Sequence, residues 1–75
     1  MKVILNLYGK NFPDEKYEDI EIEWDYPILP SVGNYLHISK LIKAPELDDY
    51  EQRVTEVCFD FKDGKIIAEL YIDIS

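Results

Sequence analysis

The sequence predicts an all-β fold: one small domain of five antiparallel strands rolled into a barrel. Three observations carry this expectation. Apolar and polar residues alternate in short runs separated by turn residues, Lys62-Asp63-Gly64-Lys65 is a hairpin signal between two such runs, and no long stretch keeps the apolar spacing of a helix. The chain has 75 residues, and a domain of that size buries only about 60% of the surface its unfolded form exposes, so there is room for one core and no second domain. With 47% hydrophobic residues it has the apolar material for that core.

The first strand spans residues 2–8, with Val3, Leu5 and Leu7 inward, Lys2, Ile4, Asn6 and Tyr8 outward, and Gly9 ending it. Residues 11–15 carry turn chemistry around Pro13 and Asp14. A second strand over residues 17–24 alternates inward Ile20, Ile22 and Trp24 with outward Asp19, Glu21 and Glu23. Pro27 and Pro30 exclude ladder pairing between residues 26 and 31, so an extended or turning connection follows. Gly33-Asn34 then turns the chain into a third strand over residues 35–38, with Leu36 and Ile38 inward. Residues 39–51 fit neither period. A short helical turn over residues 46–51, with Pro45 at its first position, and a polar loop are both open readings.

The last two strands form the hairpin. With Asp63 and Gly64 as the two loop residues of a type I′ turn, Phe61 faces Ile66, Phe59 faces Ala68, Val57 faces Leu70 and Thr55 faces Ile72 on one apolar face. The other face mixes Val54, Cys58, Ile67 and Tyr71 with Glu56, Asp60, Glu69 and Asp73. A slip of one residue would bury those acids, which fixes the register.

The segment Leu29-Pro30-Ser31-Val32-Gly33-Asn34, followed by Leu36 and Ile38, resembles small bacterial SH3-like barrel proteins, in which a "proline, any, valine, glycine, aspartate" turn launches a strand. Tyr50, Val54, Val57 and Asp60, then Gly64, Ile66, Ala68 and Leu70, are similar to the closing hairpin of that group. The resemblance covers residues 29–72 and implies an SH3-like five-stranded barrel. Asn34 stands where aspartate is usual, and Asn also tolerates a left-handed backbone. The residues around 44–49 and the acidic second strand depart from the pattern. The group is largely uncharacterised and supplies no functional residues.

Sixteen acidic against eight basic residues give a net charge of −8, which repels phosphate backbones and argues against a nucleic-acid partner. No apolar stretch is long enough to span a membrane, and the N-terminal residues lack a secretory pattern, so a cytoplasmic protein with no membrane partner is expected. Cys58 is the sole cysteine; it cannot form an intramolecular disulfide, and it suits a reducing compartment.

The densest charge feature is the acidic run from Asp14 to Asp25, in which Asp19, Glu21 and Glu23 share a strand face. Spaced along a strand they form a ridge, not an oxygen cage, so no metal is expected; the ridge either solvates an edge or meets a basic protein. Tyr26, with Trp24, could line a peptide-binding groove at a barrel end, although Trp24 continues the inward alternation. Val54, Cys58, Ile67 and Tyr71 form a possible self-association face, which Ile4 and Tyr8 extend if the terminal strands pair. His37 has no nucleophile signature to recruit, and Glu56 and Asp60 beside Cys58 disfavour its thiolate. One Cys and one His do not make a zinc site, and Gly9, Gly33 and Gly64 are too dispersed for a phosphate loop.

These features predict a non-enzymatic protein-interaction module without a cofactor, binding a basic protein or itself. Two alternatives stand beside it. One is an acidic inhibitor or immunity-like protein whose carboxylates occupy the nucleic-acid site of a basic enzyme. The other is ligand binding or catalysis at a barrel end near Trp24, Tyr26 and His37.

Overall fold

The computed structural model describes residues 1–10 and 19–75. In chain order the elements are β1 (Lys2–Tyr8), β2 (Ile20–Glu23), α1 (Ile38–Leu41), a 3-10 turn (Pro45–Leu47), β3 (Gln52–Lys62) and β4 (Lys65–Ile74). Alternation places Val3, Leu5 and Leu7 of β1 on the same face as Ala68, Leu70, Ile72 and Ile74 of β4, and all are buried. These two strands lie side by side and parallel, Val3 beside Ala68, Leu5 beside Leu70 and Leu7 beside Ile72. β2 joins β1 antiparallel, β3 joins β4 antiparallel, and the sheet order is β2-β1-β4-β3.

The fold is mostly β, as expected, but its sheet is open and has four strands, where five antiparallel strands closed into a barrel were expected. The expectation missed the parallel central pair because nothing local in β1 or β4 encodes it. The two most apolar strands bury their side chains best beside each other, which leaves the acidic β2 at an edge.

The expected third strand survives as a short edge contact. Gly33 N donates to the Val54 carbonyl, Val54 N to the Asn34 carbonyl and Leu36 N to the Gln52 carbonyl, at 2.8, 2.9 and 2.8 Å. Tyr35 opposite Arg53 is an isolated bridge, and at Ile38 the chain turns into α1. Ile38 and Leu36 still face the core, Ile38 buried and Leu36 half-buried, so the inward pair was right and its backbone was not. The second strand is also shorter than expected: Asp19 has a φ of 50° and Trp24 lies beyond Glu23. The expected turn at residues 11–15 and the strand residues 17 and 18 lie outside the described residues.

The hairpin forms with Asp63 and Gly64 at φ 53° and 74°, and Phe61–Ile66, Phe59–Ala68 and Val57–Leu70 pair as expected. Thr55 does not face Ile72. A bulge between Val54 and Glu56 puts Val54 opposite Ile72 and turns it fully into the core. The Thr55 hydroxyl donates to the Tyr71 carbonyl at 3.2 Å, giving that acceptor a partner beside the bulge.

One face of the sheet is covered by residues 24–51. Leu29, Leu36, Leu41 and Ile42 pack against the core, and Ile38, Ala44 and Leu47 are buried in it. Of the two readings open for residues 46–51, a helical turn is present with Pro45 at its first position, but it is a 3-10 turn that ends at Leu47, so the expected span to residue 51 is not helical. Holding this cover is one side chain, Gln52, which is only 4% exposed. Its Oε1 accepts the Ser39 N–H at 3.1 Å, and its Nε2 donates to the carbonyls of Leu47 at 2.8 Å and Tyr50 at 3.3 Å. Ser39 lies in the first turn of α1, whose N-cap His37 makes no capping hydrogen bond, so Gln52 supplies the acceptor from across the core. The Ser39 hydroxyl also hydrogen-bonds the Asp48 carboxylate.

Gln52→Leu nearly keeps the volume, strands the Ser39 N–H and removes one of the two donors on the Leu47 carbonyl, which Tyr50 N still reaches at 3.1 Å, so urea unfolding should show a loss of about 1–3 kcal/mol. A loss no larger than that of a surface substitution would show that the cover is held by apolar packing alone.

Candidate functional site

The opposite, outer face of the sheet has no described element packed over it. Parallel pairing sets Lys2 beside Ile67, Ile4 beside Glu69 and Asn6 beside Tyr71, and the hairpin adds Asp60 beside Ile67 and Cys58 beside Glu69. Toward the hairpin turn this face is an open concavity of about 1040 Å³. Ile4 and Ile67 lie on its central strands; Glu21, Glu23, Asp60, Asp63 and Glu69, with Met1, Lys2, Lys62, Gly64, Lys65 and Ile66, complete the lining.

Of the expected acidic site, Glu21 and Glu23 come together here and the other two residues do not. Asp19 precedes β2 with a left-handed backbone, off the strand row. Tyr26 lies past the end of β2, 58% exposed, edge-on to Trp24 with ring centroids 5.0 Å apart. Glu21 is 3.6 Å from the Lys2 ammonium, and Glu23 is 3.0 Å from the amino group of Met1. Both carboxylates are exposed, and these pairs leave them open to exchange with another cation.

The expected self-association face is also divided. Cys58, Ile67 and Tyr71 lie half-buried on the outer face, while Val54 belongs to the core because of the bulge. The terminal strands do pair, so Ile4 extends the outer face. Tyr8 reaches across β4, its hydroxyl 2.6 Å from Thr55 Oγ1. Lys2 and Lys62 were missed as members of this surface, since only the β1–β4 pairing and the hairpin geometry together bring them to one concavity.

Cys58 and Tyr71 share the charge of Glu69 and Glu56. Burial, a hydrogen bond with Glu56 and the charges of Glu56 and Glu69 push the Cys58 thiol above its ordinary range. The Tyr71 phenol is also raised, first by the Glu69 charge and then by burial. Both groups are therefore neutral in the folded chain near neutral pH, and neither is an activated nucleophile.

A second surface lies beside the α1 entrance. Trp24, Tyr26 and His37, the three residues expected at a barrel end, line one open hollow of about 310 Å³ with Leu36, Lys40 and Leu41. The Trp24 indole N–H donates to the Ile28 carbonyl at 2.9 Å, which fixes the ring as a wall. His37 is exposed and caps nothing. Among the described residues no three of His, Cys, Asp and Glu are grouped to hold a metal ion, and no helix is long and apolar enough to cross a membrane.

Because the folded state holds the Cys58 proton more tightly than the unfolded chain, its contribution to stability is complete below the ordinary thiol range and declines as pH rises through it. At about pH 8, alkylation of Cys58 by iodoacetamide should be slower than that of an unfolded control, and Glu56→Gln should speed it. An unchanged rate in Glu56→Gln would remove the carboxylate from the explanation.

The chain matches no protein-family model, no curated protein and no solved structure.

Proposed function

We propose that this chain is a small, non-enzymatic protein-interaction module that binds a basic protein through the open outer face of its sheet. The observation that carries the reading is the uncovered concavity in which Ile4 and Ile67 lie among five carboxylates, Glu21, Glu23, Asp60, Asp63 and Glu69, beside Lys2, Lys62 and Lys65. A strand or loop with alternating apolar and basic side chains matches it. Its apolar residues would cover Ile4 and Ile67, and its cations would replace Lys2 and the Met1 amino group on Glu21 and Glu23. The chain's net charge of −8 speeds encounter with such a partner.

An inhibitor or immunity-like role against a basic, nucleic-acid-processing enzyme is a special case of the same contact, with the carboxylates standing in for phosphates. A cytoplasmic setting belongs to the proposal and is supported by the single free thiol. A relation to small SH3-like proteins belongs to it as well, supported by the Gly33 turn at the β3 edge and by the closing hairpin. A second reading, a small planar or apolar ligand in the hollow of Trp24, Tyr26 and His37, is favoured by the convergence of those three side chains.

The test is affinity capture from lysate at low salt, followed by binding measurements with the purified captured protein. A basic partner should bind with salt-sensitive affinity, and Glu21→Lys with Glu23→Lys should weaken it about tenfold or more. Salt-insensitive binding that the double reversal leaves unchanged would overturn the outer face as the contact. In that case His37→Ala and Tyr26→Ala address the hollow.

A further inference from the structure

The β3 edge is unusual in being open, long and apolar. Its first residues are closed off by Gly33, Asn34 and Leu36, but beyond the bulge no described segment pairs with it. Lys62 and Lys65 flank a two-residue turn, so antiparallel alternation directs the N–H and carbonyl groups of Val57, Phe59 and Phe61 away from β4. The Phe61 N–H is taken by the Asp60 carboxylate at 2.8 Å, as expected of a group with no strand beside it. The side chains of these residues lie on the covered face, but the cover does not reach them. Phe59, Phe61 and Ile66 are 56%, 72% and 48% exposed, in continuity with buried Ala68 and Leu70.

We propose that two copies of this chain pair β3 against β3, antiparallel about a two-fold axis at Phe59, joining their open sheets into one. Charge complementarity selects both the occupant and the register. With the axis at Phe59, Glu56 faces Lys62 of the second copy, and Lys62 faces its Glu56. Val57 and Phe61 then meet Phe61 and Val57 on the apolar face, on either side of a central Phe59 pair. An axis at Cys58 would set Glu56 against Asp60, and an axis at Asp60 would set two Asp60 carboxylates together. An axis at Phe61 would place Phe59 against turn residue Asp63, whose φ of 53° cannot continue a strand. The pairing gives the outward N–H and carbonyl groups of Phe59 and the N–H of Val57 partners, exchanges Asp60 for the second copy's Val57 carbonyl on the Phe61 N–H, and covers the exposed phenylalanines. Of the concavity-lining residues it uses Lys62 and Ile66, and it leaves Glu21, Glu23 and the hollow at Trp24 free.

The full chain should sediment as a concentration-dependent dimer that tightens with added salt, because salt screens repulsion between two copies each carrying −8. This opposes the salt response expected of the basic partner, so either reading can fail alone. Phe59→Lys, at an exposed position, should give a folded monomer. Glu56→Lys should weaken the dimer, and Glu56→Lys combined with Lys62→Glu should restore it. As a measurement on the unsubstituted chain, amide exchange at Val57 and Phe59 should slow as concentration rises. A monomer at all concentrations, or a dimer indifferent to Phe59→Lys and to the charge swap, would overturn the proposal.

Discussion

The side-chain amide of Gln52 is the joint between the two layers of this protein. The sheet makes its own hydrogen bonds, but the cover includes only one turn of α-helix and one 3-10 turn, neither long enough to be stable alone. The first turn leaves the Ser39 N–H without a partner of its own inside the molecule, and Gln52, at the start of β3, meets that donor and adds a second hydrogen bond to the Leu47 carbonyl of the other turn. One residue therefore sets the height at which Ile38 and Leu47 enter the core. It also sets where the preceding segment meets the β3 edge, because the Gln52 carbonyl accepts from Leu36 N. The hollow at Trp24 and His37 inherits its shape from that placement, since α1 forms one of its sides.

What was legible in the sequence is what local chemistry decides. The hairpin follows from Asp63-Gly64, and the span and facing of β1 follow from its alternation. What was not legible depends on contacts between distant residues. The parallel pairing of β1 with β4 has no signal in either strand, and without it the terminal strands do not suggest an open sheet. Thr55 shows a subtler limit: a single bulge changes the parity of β3, so strict alternation placed Val54 on the wrong face while every pair nearer the turn was placed correctly. At Ile38 the Leu36–Ile38 alternation read as strand, but both side chains also reach the core from an extended entry into a helical turn, Ile38 fully and Leu36 in part. For the sites, Glu21 and Glu23 were found from their charge and spacing. The concavity they belong to was not, because it needs the β1–β4 pairing to bring Ile67 next to Lys2.

The two edges of the sheet are managed in opposite ways, and this asymmetry organises the surface. β2 is four residues long, bears Glu21 and Glu23, and ends where Asp19 turns left-handed and Trp24 leaves the ladder. A short, charged, interrupted strand is a poor template for another chain. β3 runs eleven residues, carries Val57, Phe59 and Phe61 on its inner face, and is shielded only along its first part. The acidic charge therefore protects one edge and leaves the other to packing. It also divides the labour between faces: carboxylates gather on the outer side, where Ile4 and Ile67 interrupt them, and aromatic rings gather at the hairpin end of the inner side. An electrostatic contact at Glu21 and Glu23 and an apolar contact at Phe59 and Phe61 then draw on different side chains of one small sheet, because the pleat sends Asp60 to one face and its neighbours Phe59 and Phe61 to the other.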